Sequence, residues 1–167
     1  MSFELRIERQ FDAPPEAVFD AFIDETAQGV LHGEGQKGWK VHSVETDIRV
    51  GGTSTVVMGP EGQEPDTETR VYTVIERPHR LVLHYSMNVA EWGRVIDTQM
   101  TVTYEARDGG TLFTMIETGF EREEDRDGFM GGWSEYLDTL ARIVPSYLPG
   151  GIEEPGTDGV MKARHDT

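Results

Sequence analysis

The C-terminal third of the chain carries an apolar stripe at helical spacing, and a stripe of this width requires a large apolar surface to cover it. Its members are four, four, three and four residues apart: Phe129, Trp133, Leu137, Leu140 and Val144. That spacing places the side chains on one face of an α-helix, which Pro145 is expected to end. Because a helix in water is stable mainly through such packing, the preceding residues must supply the surface that covers the stripe.

Those preceding residues predict a series of short strands. The strand segments are 41–50, 53–58, 67–76, 81–87, 97–106 and 111–120. Between the last two lies Arg107-Asp108-Gly109-Gly110, a strong hairpin signal because glycine accepts a positive φ without steric cost. Strands at this spacing, with no helices between them, favour one meandering antiparallel sheet over parallel βαβ units.

The N-terminal segment completes the order of elements. Residues 3–11 alternate between apolar and polar side chains, which is typical of a half-buried strand. Two short helices are then predicted, from Pro15 to Asp24 and from Glu25 to Leu31, and proline is favoured in a first helical turn. We therefore expect an α+β fold in which a curved sheet of six or seven antiparallel strands wraps the long C-terminal helix.

The predicted architecture leaves room for a ligand. A curved sheet has a concave face, and a straight helix cannot fill such a face completely, so a pocket is expected between them. We predict one domain over residues 1–148 and a flexible polar tail over 149–167, where apolar periodicity is lost.

Charge and composition exclude several classes of function. The chain has 31 acidic and 15 basic side chains, a formal net charge of -16, which repels nucleic acid and anionic lipid headgroups. There are no cysteines, and the five histidines lack metal-binding spacing, so neither a metal nor another cofactor is predicted. Without a signal peptide or a bilayer-length apolar run, we expect a cytoplasmic protein, monomeric or homodimeric, with no membrane insertion.

Several short motifs resemble one known family. Residues 11–19, FDAPPEAVF, resemble the opening of the START-related helix-grip superfamily, also called SRPBCC or birch-pollen-allergen-like. Four further motifs are similar to those of homologues of the activator of the 90-kDa heat-shock protein ATPase: Gly51-Gly52, Pro78-His79-Arg80-Leu81, Gly110-Thr111-Leu112-Phe113 and Gly132-Trp133-Ser134-Glu135-Tyr136-Leu137. They occur in the family's order and near its spacing, across about residues 3–147.

The resemblance implies a helix-grip fold with a cavity between the sheet and the C-terminal helix. Relatives bind lipids, hormones, polyketides and other hydrophobic molecules, and some are enzymes, although the family shares no catalytic motif. The first expectation is therefore a carrier, sensor or sequestering protein for a small hydrophobic molecule. Two alternatives stay open: an enzyme, such as a cyclase, dehydratase or hydrolase of a polyketide-like or aromatic substrate, and a stress-related, co-chaperone-like interaction protein.

Candidate ligand contacts come from the helical stripe, from strand faces that point inward by period two, and from loops that could close a pocket. They are Phe22, Trp39, Tyr85, Met87, Trp92, Met100, Tyr104, Phe113, Met115, Glu117, Phe129, Met130, Trp133 and Leu137. Glu117 is the first catalytic candidate, because desolvation inside a cavity would raise its pKa, and the alternative is a rim carboxylate in water. Among the histidines, His84 is the candidate to line the cavity.

Two glycine-rich places have open interpretations. Gly131-Gly132 costs helix stability and either opens space at the pocket mouth or lets the helix approach the sheet closely. The segment 33–38 follows a helix and enters a strand, the reverse of a dinucleotide-binding context, so a lid anchored by Trp39 is the better prediction.

Overall fold

The structure, a computed structural model, describes residues 1–148 and 151–152. One sheet of seven strands and three α-helices make up the fold. In chain order these elements are β1 (Phe3–Phe11), α1 (Pro15–Ile23), α2 (Glu25–Leu31), β2 (Trp39–Thr46), β3 (Thr53–Pro60), β4 (Asp66–Glu76), β5 (Arg80–Val89), β6 (Arg94–Arg107), β7 (Gly110–Phe120) and α3 (Glu123–Ile143). A 3-10 turn, Val144–Ser146, then leads to a two-residue strand pair, β8 (Tyr147–Leu148) with β9 (Gly151–Ile152).

The seven long strands form a single curved antiparallel sheet in the order β1-β7-β6-β5-β4-β3-β2. From β2 to β7, each strand pairs with the next one along the chain, whereas β1 pairs with β7. Helices α1 and α2 carry the chain from β1 at one edge of the sheet to β2 at the other. The predicted α+β class and the helix-grip architecture are confirmed.

One hydrophobic core lies between the sheet and the helices. Four apolar or aromatic side chains of α3 are at most 5% exposed: Trp133, Tyr136, Leu137 and Leu140. Phe19 and Phe22 of α1 and Phe113 of β7 belong to the same core as Trp133. The C-terminal stripe therefore packs on the sheet, as its spacing predicts.

The β6–β7 hairpin turns where the sequence predicts it. The last paired residues are Arg107 and Gly110, so Asp108 and Gly109 form a two-residue turn. Both have positive φ, 52° at Asp108 and 78° at Gly109. Positive φ at both central residues is the requirement of the tight turn that suits twisted strands, and it explains the Asp-Gly pair.

The edge strand β2 ends earlier than its alternation predicts. A strand over 41–50 is expected, whereas β2 spans Trp39–Thr46. The chain then turns sharply, since the Asp47 N–H donates to the Thr53 carbonyl. At Gly52 an added Cβ would lie 2.2 Å from the Asp47 carbonyl oxygen, so only glycine fits this approach. Backbone hydrogen bonds close this loop, and the alternation of side chains does not reveal them, so the sequence pattern places the end of the strand too late.

The tail predicted over 149–167 lies outside the described residues, apart from Gly151–Ile152. Within the part of the chain that the structure describes, no helix combines the length and the apolar character needed to cross a bilayer.

Candidate ligand-binding site

A cavity of about 450 Å³ opens between α3, the segment after α2, and strands β3 to β5. Its volume lies within the range of small-molecule sites, about 300–1,000 Å³. Six aromatic side chains border it: Trp39, Tyr85, Trp92, Phe129, Trp133 and Tyr136. The other apolar side chains of the wall are Leu31, Met58, Met87 and Val89, and the polar ones are His32, Gln36, Asp66, Glu68, Glu135 and Thr139.

Helix α3 forms one wall of the cavity through residues three or four positions apart. Gly128, Gly132, Glu135 and Thr139 form one such row, and Phe129, Trp133 and Tyr136 form the adjacent row on the same helix face. An added Cβ would meet no heavy atom within 4 Å at Gly131 or at Gly132. A close approach to the sheet therefore does not explain these glycines, and Gly132 leaves open volume beside the cavity.

The glycine-rich segment after α2 forms a second wall and is held by Trp39. The Trp39 indole N–H donates to the His32 carbonyl at 2.7 Å. Gly33 has a φ of +100°, and an added Cβ there would lie 3.0 Å from the Trp39 ring. The positive φ and the close ring both favour glycine at position 33, which lets Trp39 pack against this segment.

A buried carboxylate, Glu68 of β4, forms the polar floor of the cavity. Its Oε1 accepts from Arg70 Nε at 2.9 Å, and its Oε2 accepts from the Tyr85 hydroxyl at 2.8 Å. His32 Nε2 lies 3.0 Å from the same Oε2. Burial alone would raise the pKa of Glu68, but the charges of Arg70 and His32 and the hydrogen bonds from His32 and Tyr85 outweigh it. The pKa is held well below its usual range, and the carboxylate stays ionised.

His32 has both ring nitrogens occupied by protein acceptors. Nδ1 lies 2.8 Å from the Gln28 carbonyl, which can only accept, and Nε2 faces the Glu68 carboxylate. The imidazole thus has no free nitrogen for a ligand and presents only its carbon edge. His84, by contrast, lies on the outer face of the sheet beside Asp97, with a side chain that is 56% exposed.

Arg70 lies behind the aromatic wall, fully buried. Its guanidinium carbon is 5.1 Å from the Phe22 ring centre and 5.8 Å from that of Trp133, and its Nη2 donates weakly to the Tyr136 hydroxyl at 3.4 Å. Within residues 1–148, Nη1 has no hydrogen-bond partner. Burial lowers the pKa of Arg70, but the adjacent Glu68 outweighs this effect and raises the pKa well above its ordinary value.

Glu117 is buried on the sheet side of Trp133. It accepts hydrogen bonds from the Trp133 indole N–H, at 2.9 Å, and from the Thr98 hydroxyl. Burial raises its pKa to about 7, and these two hydrogen bonds offset the effect only in part. Glu117 is therefore not a rim carboxylate, and Trp133 separates it from the cavity.

The structure divides the fourteen candidate contacts into two groups. Six border the cavity: Trp39, Tyr85, Met87, Trp92, Phe129 and Trp133. Eight do not border it: Phe22, Met100, Tyr104, Phe113, Met115, Glu117, Met130 and Leu137. All of the second group except Met130 are buried, because the inward faces of β6 and β7 meet α1 and the C-terminal part of α3, which fill that end of the sheet.

Sequence reasoning missed His32, Glu68 and Tyr136 as cavity residues. Charged residues on a strand are ordinarily exposed, so Glu68 and Arg70 give no sign of burial when taken singly. Their spacing could have indicated burial: Glu68, Arg70 and Tyr72 are two residues apart, so they share one face of β4, and Tyr72 is buried. Over the residues that the structure describes, no group of three or more His, Asp or Glu side chains is arranged to hold a metal ion.

The sequence profile described as "Activator of Hsp90 ATPase homolog 1-like protein" matches residues 12–145. This match covers most of the chain, and the chain belongs to that family. A comparison with functionally curated proteins found no match.

Solved bacterial structures share the fold. An uncharacterized protein from Rhizobium leguminosarum is 24% identical, with a TM-score of 0.75 over 88% of this chain and 97% of that one. A protein from Chromobacterium violaceum is 23% identical, with a TM-score of 0.71 over 84% and 96%. CalU16 from Micromonospora echinospora is 18% identical, with a TM-score of 0.61 over 99% and 85%. At these identities the likeness concerns the fold alone.

Proposed function

We propose that this protein binds a small, planar, largely apolar molecule in the cavity between α3 and the sheet. One observation carries the proposal: the aromatic side chains of the wall direct their polar atoms into the protein. The indole N–H groups of Trp39 and Trp133 donate to His32 and Glu117, and the Tyr85 hydroxyl donates to Glu68. The aromatic side chains therefore present ring faces and edges to the cavity, and these favour stacking with a planar ligand.

The same geometry favours binding over catalysis. A general acid or base must reach the reacting atom within hydrogen-bond distance. Glu117 is separated from the cavity by Trp133, and Glu68 and His32 are engaged with each other and with Arg70, Tyr85 and Gln28. A carrier, sensor or sequestering role needs no such group.

We expect Gly132→Leu to weaken binding of a planar probe, 1-naphthylmethanol, by at least tenfold. The new side chain extends into open volume at the cavity wall and competes with the probe. Replacing a helical glycine also stabilises the helix, by about 0.8 kcal/mol, so the loss of binding should accompany an unchanged or higher melting temperature. Isothermal titration calorimetry measures the affinity, and native mass spectrometry shows whether a copurified small molecule disappears.

Gly131→Leu is the matched control. Gly131 lies in the same helix, also has no heavy atom near an added Cβ, and does not border the cavity. It should gain the same helix stability and keep the wild-type affinity. Equal losses in both variants, or no loss in Gly132→Leu, would contradict the proposed site, and failure of the wild-type protein to bind any planar apolar probe would contradict the proposed function.

A further inference from the structure

We infer that the bound molecule is a cation: an apolar, planar body carrying a protonated amine directed at the cavity mouth. This inference rests on the proposed function and narrows its ligand class. Two properties of the cavity wall support the inference: the polar groups that remain free to contact a ligand, and the negative charge that these groups carry.

The first step concerns hydrogen-bond donors. An anionic ligand needs donors in the wall, and the donors nearest the floor are already engaged within the protein. Trp39 and Trp133 donate to protein oxygens, Tyr85 donates to Glu68, and both nitrogens of His32 face acceptors. A carboxylate or phosphate placed at the floor would lose its hydration without replacement by these groups, which is costly.

The second step concerns charge. The lining includes three carboxylates, Asp66, Glu68 and Glu135, and neither lysine nor arginine. Arg70 compensates Glu68 from behind the wall. Within residues 1–148, Asp66 and Glu135 form no ion pair. Asp66 Oδ1 accepts from the Ala90 N–H at 2.9 Å, which leaves Oδ2 for a cation, and Glu135 is exposed at the mouth. The net charge of -16 adds an attraction of the same sign over the whole approach.

The third step concerns the rings themselves. Aromatic faces attract cations through their quadrupole, most strongly for tryptophan. Trp92 already makes such a contact within the protein, since the Arg94 guanidinium carbon lies 4.9 Å from its ring centre. A ligand ammonium between Trp92 or Trp39 and the mouth carboxylates would combine both attractions.

The basic residues near the cavity do not cancel its preference for a cation. Arg94 is paired with Asp125, and Arg70 with Glu68. Lys37 follows the lining residue Gln36 in the chain but does not border the cavity. At the floor, His32 faces Glu68 and the Gln28 carbonyl and Arg70 faces Glu68, so the carboxylates left for a ligand cation are those at the mouth, and the apolar body points inward.

The test compares three probes with one ring system and different charge at neutral pH: 1-naphthylmethylamine, 1-naphthylmethanol and 1-naphthoate. By calorimetry at low salt, the amine should bind at least tenfold more tightly than the carboxylate, with the alcohol between them. Added salt should reduce the advantage of the amine and leave the alcohol unchanged. If the carboxylate binds as tightly as the amine while the alcohol binds, the inference fails and the proposed function stands; if none binds, both fail.

Three variants locate the effect. Glu135→Gln and Asp66→Asn should each weaken binding of the amine by threefold or more and leave the alcohol unchanged. Glu124→Gln, at an exposed position of α3 outside the cavity lining, changes the net charge equally and should leave both affinities unchanged. A preference for the amine that survives both lining substitutions, or that Glu124→Gln reduces to the same extent, would overturn the assignment to the mouth carboxylates.

Discussion

Replacing Arg70 by methionine is expected to lower the free energy of unfolding by about 3–5 kcal/mol, the cost of leaving a buried charge uncompensated. The Arg70 guanidinium is fully buried and donates from Nε to Glu68 Oε1 at 2.9 Å. Without it, the Glu68 carboxylate keeps its contacts with His32 and Tyr85 but loses the adjacent full positive charge. Urea-induced unfolding followed by circular dichroism measures the loss.

A double-mutant cycle separates the ion pair from simple loss of packing. Glu68→Gln removes the charge that Arg70 compensates, so the double variant should be more stable than the sum of the two single losses predicts, by about 1–3 kcal/mol. Arg80→Met is the surface control, because Arg80 and Glu76 form an exposed pair, and it should change stability by less than about 1 kcal/mol. Strictly additive losses in the cycle would show that the pair contributes nothing beyond its volume.

Replacing Glu117 by glutamine is expected to remove a pH dependence of stability worth about 2–3 kcal/mol between pH 5 and pH 8. Burial raises the pKa of Glu117 from 4.5 to about 7, so the folded protein holds this proton more tightly than the unfolded chain. The associated stability is fully present below about pH 4.5 and is lost as the pH rises through about 7. Glutamine keeps the volume and can still accept from Trp133.

The comparison is made by urea unfolding of both proteins at several pH values. Glu68 stays ionised in the folded protein across this range because its pKa is held far below it, so its own contribution to the slope is confined to pH values near and below the unfolded value of 4.5. Glu105→Gln, at an exposed position of β6, is the matched control and should reproduce the wild-type slope. Parallel wild-type and Glu117→Gln curves would mean that Glu117 is solvated in the folded protein.

Trp133 links this carboxyl to the cavity. Its indole N–H is held by Glu117 on one side, and its ring forms part of the cavity wall on the other. We therefore propose that Glu117, the first catalytic candidate from the sequence, positions the Trp133 ring in the aromatic wall. Stability and ligand affinity are the measurements that test this role.

The buried polar residues show where prediction from the sequence stops. Tyr85 and Glu117 are placed on inward faces by period two, and both do point inward. Glu68 and Arg70 have the same period, but their charge makes exposure the natural expectation. Only their mutual contact, with Tyr85 and His32 as further partners, makes burial tolerable. These contacts join β4 to β5 and to the residue that follows α2.

The sequence by itself determined the order of elements, the Asp-Gly hairpin and the inward stripe of α3, because each follows from periodicity or turn chemistry within a few residues. Only the tertiary structure decided which inward side chains border open space. Trp39 and Phe113 are both aromatic and inward, yet α1 packs on Phe113 while α3 leaves the space beside Trp39 unfilled. That difference depends on where one helix crosses a curved sheet and on two glycines in its path, Gly128 and Gly132, which are relations between elements distant in sequence.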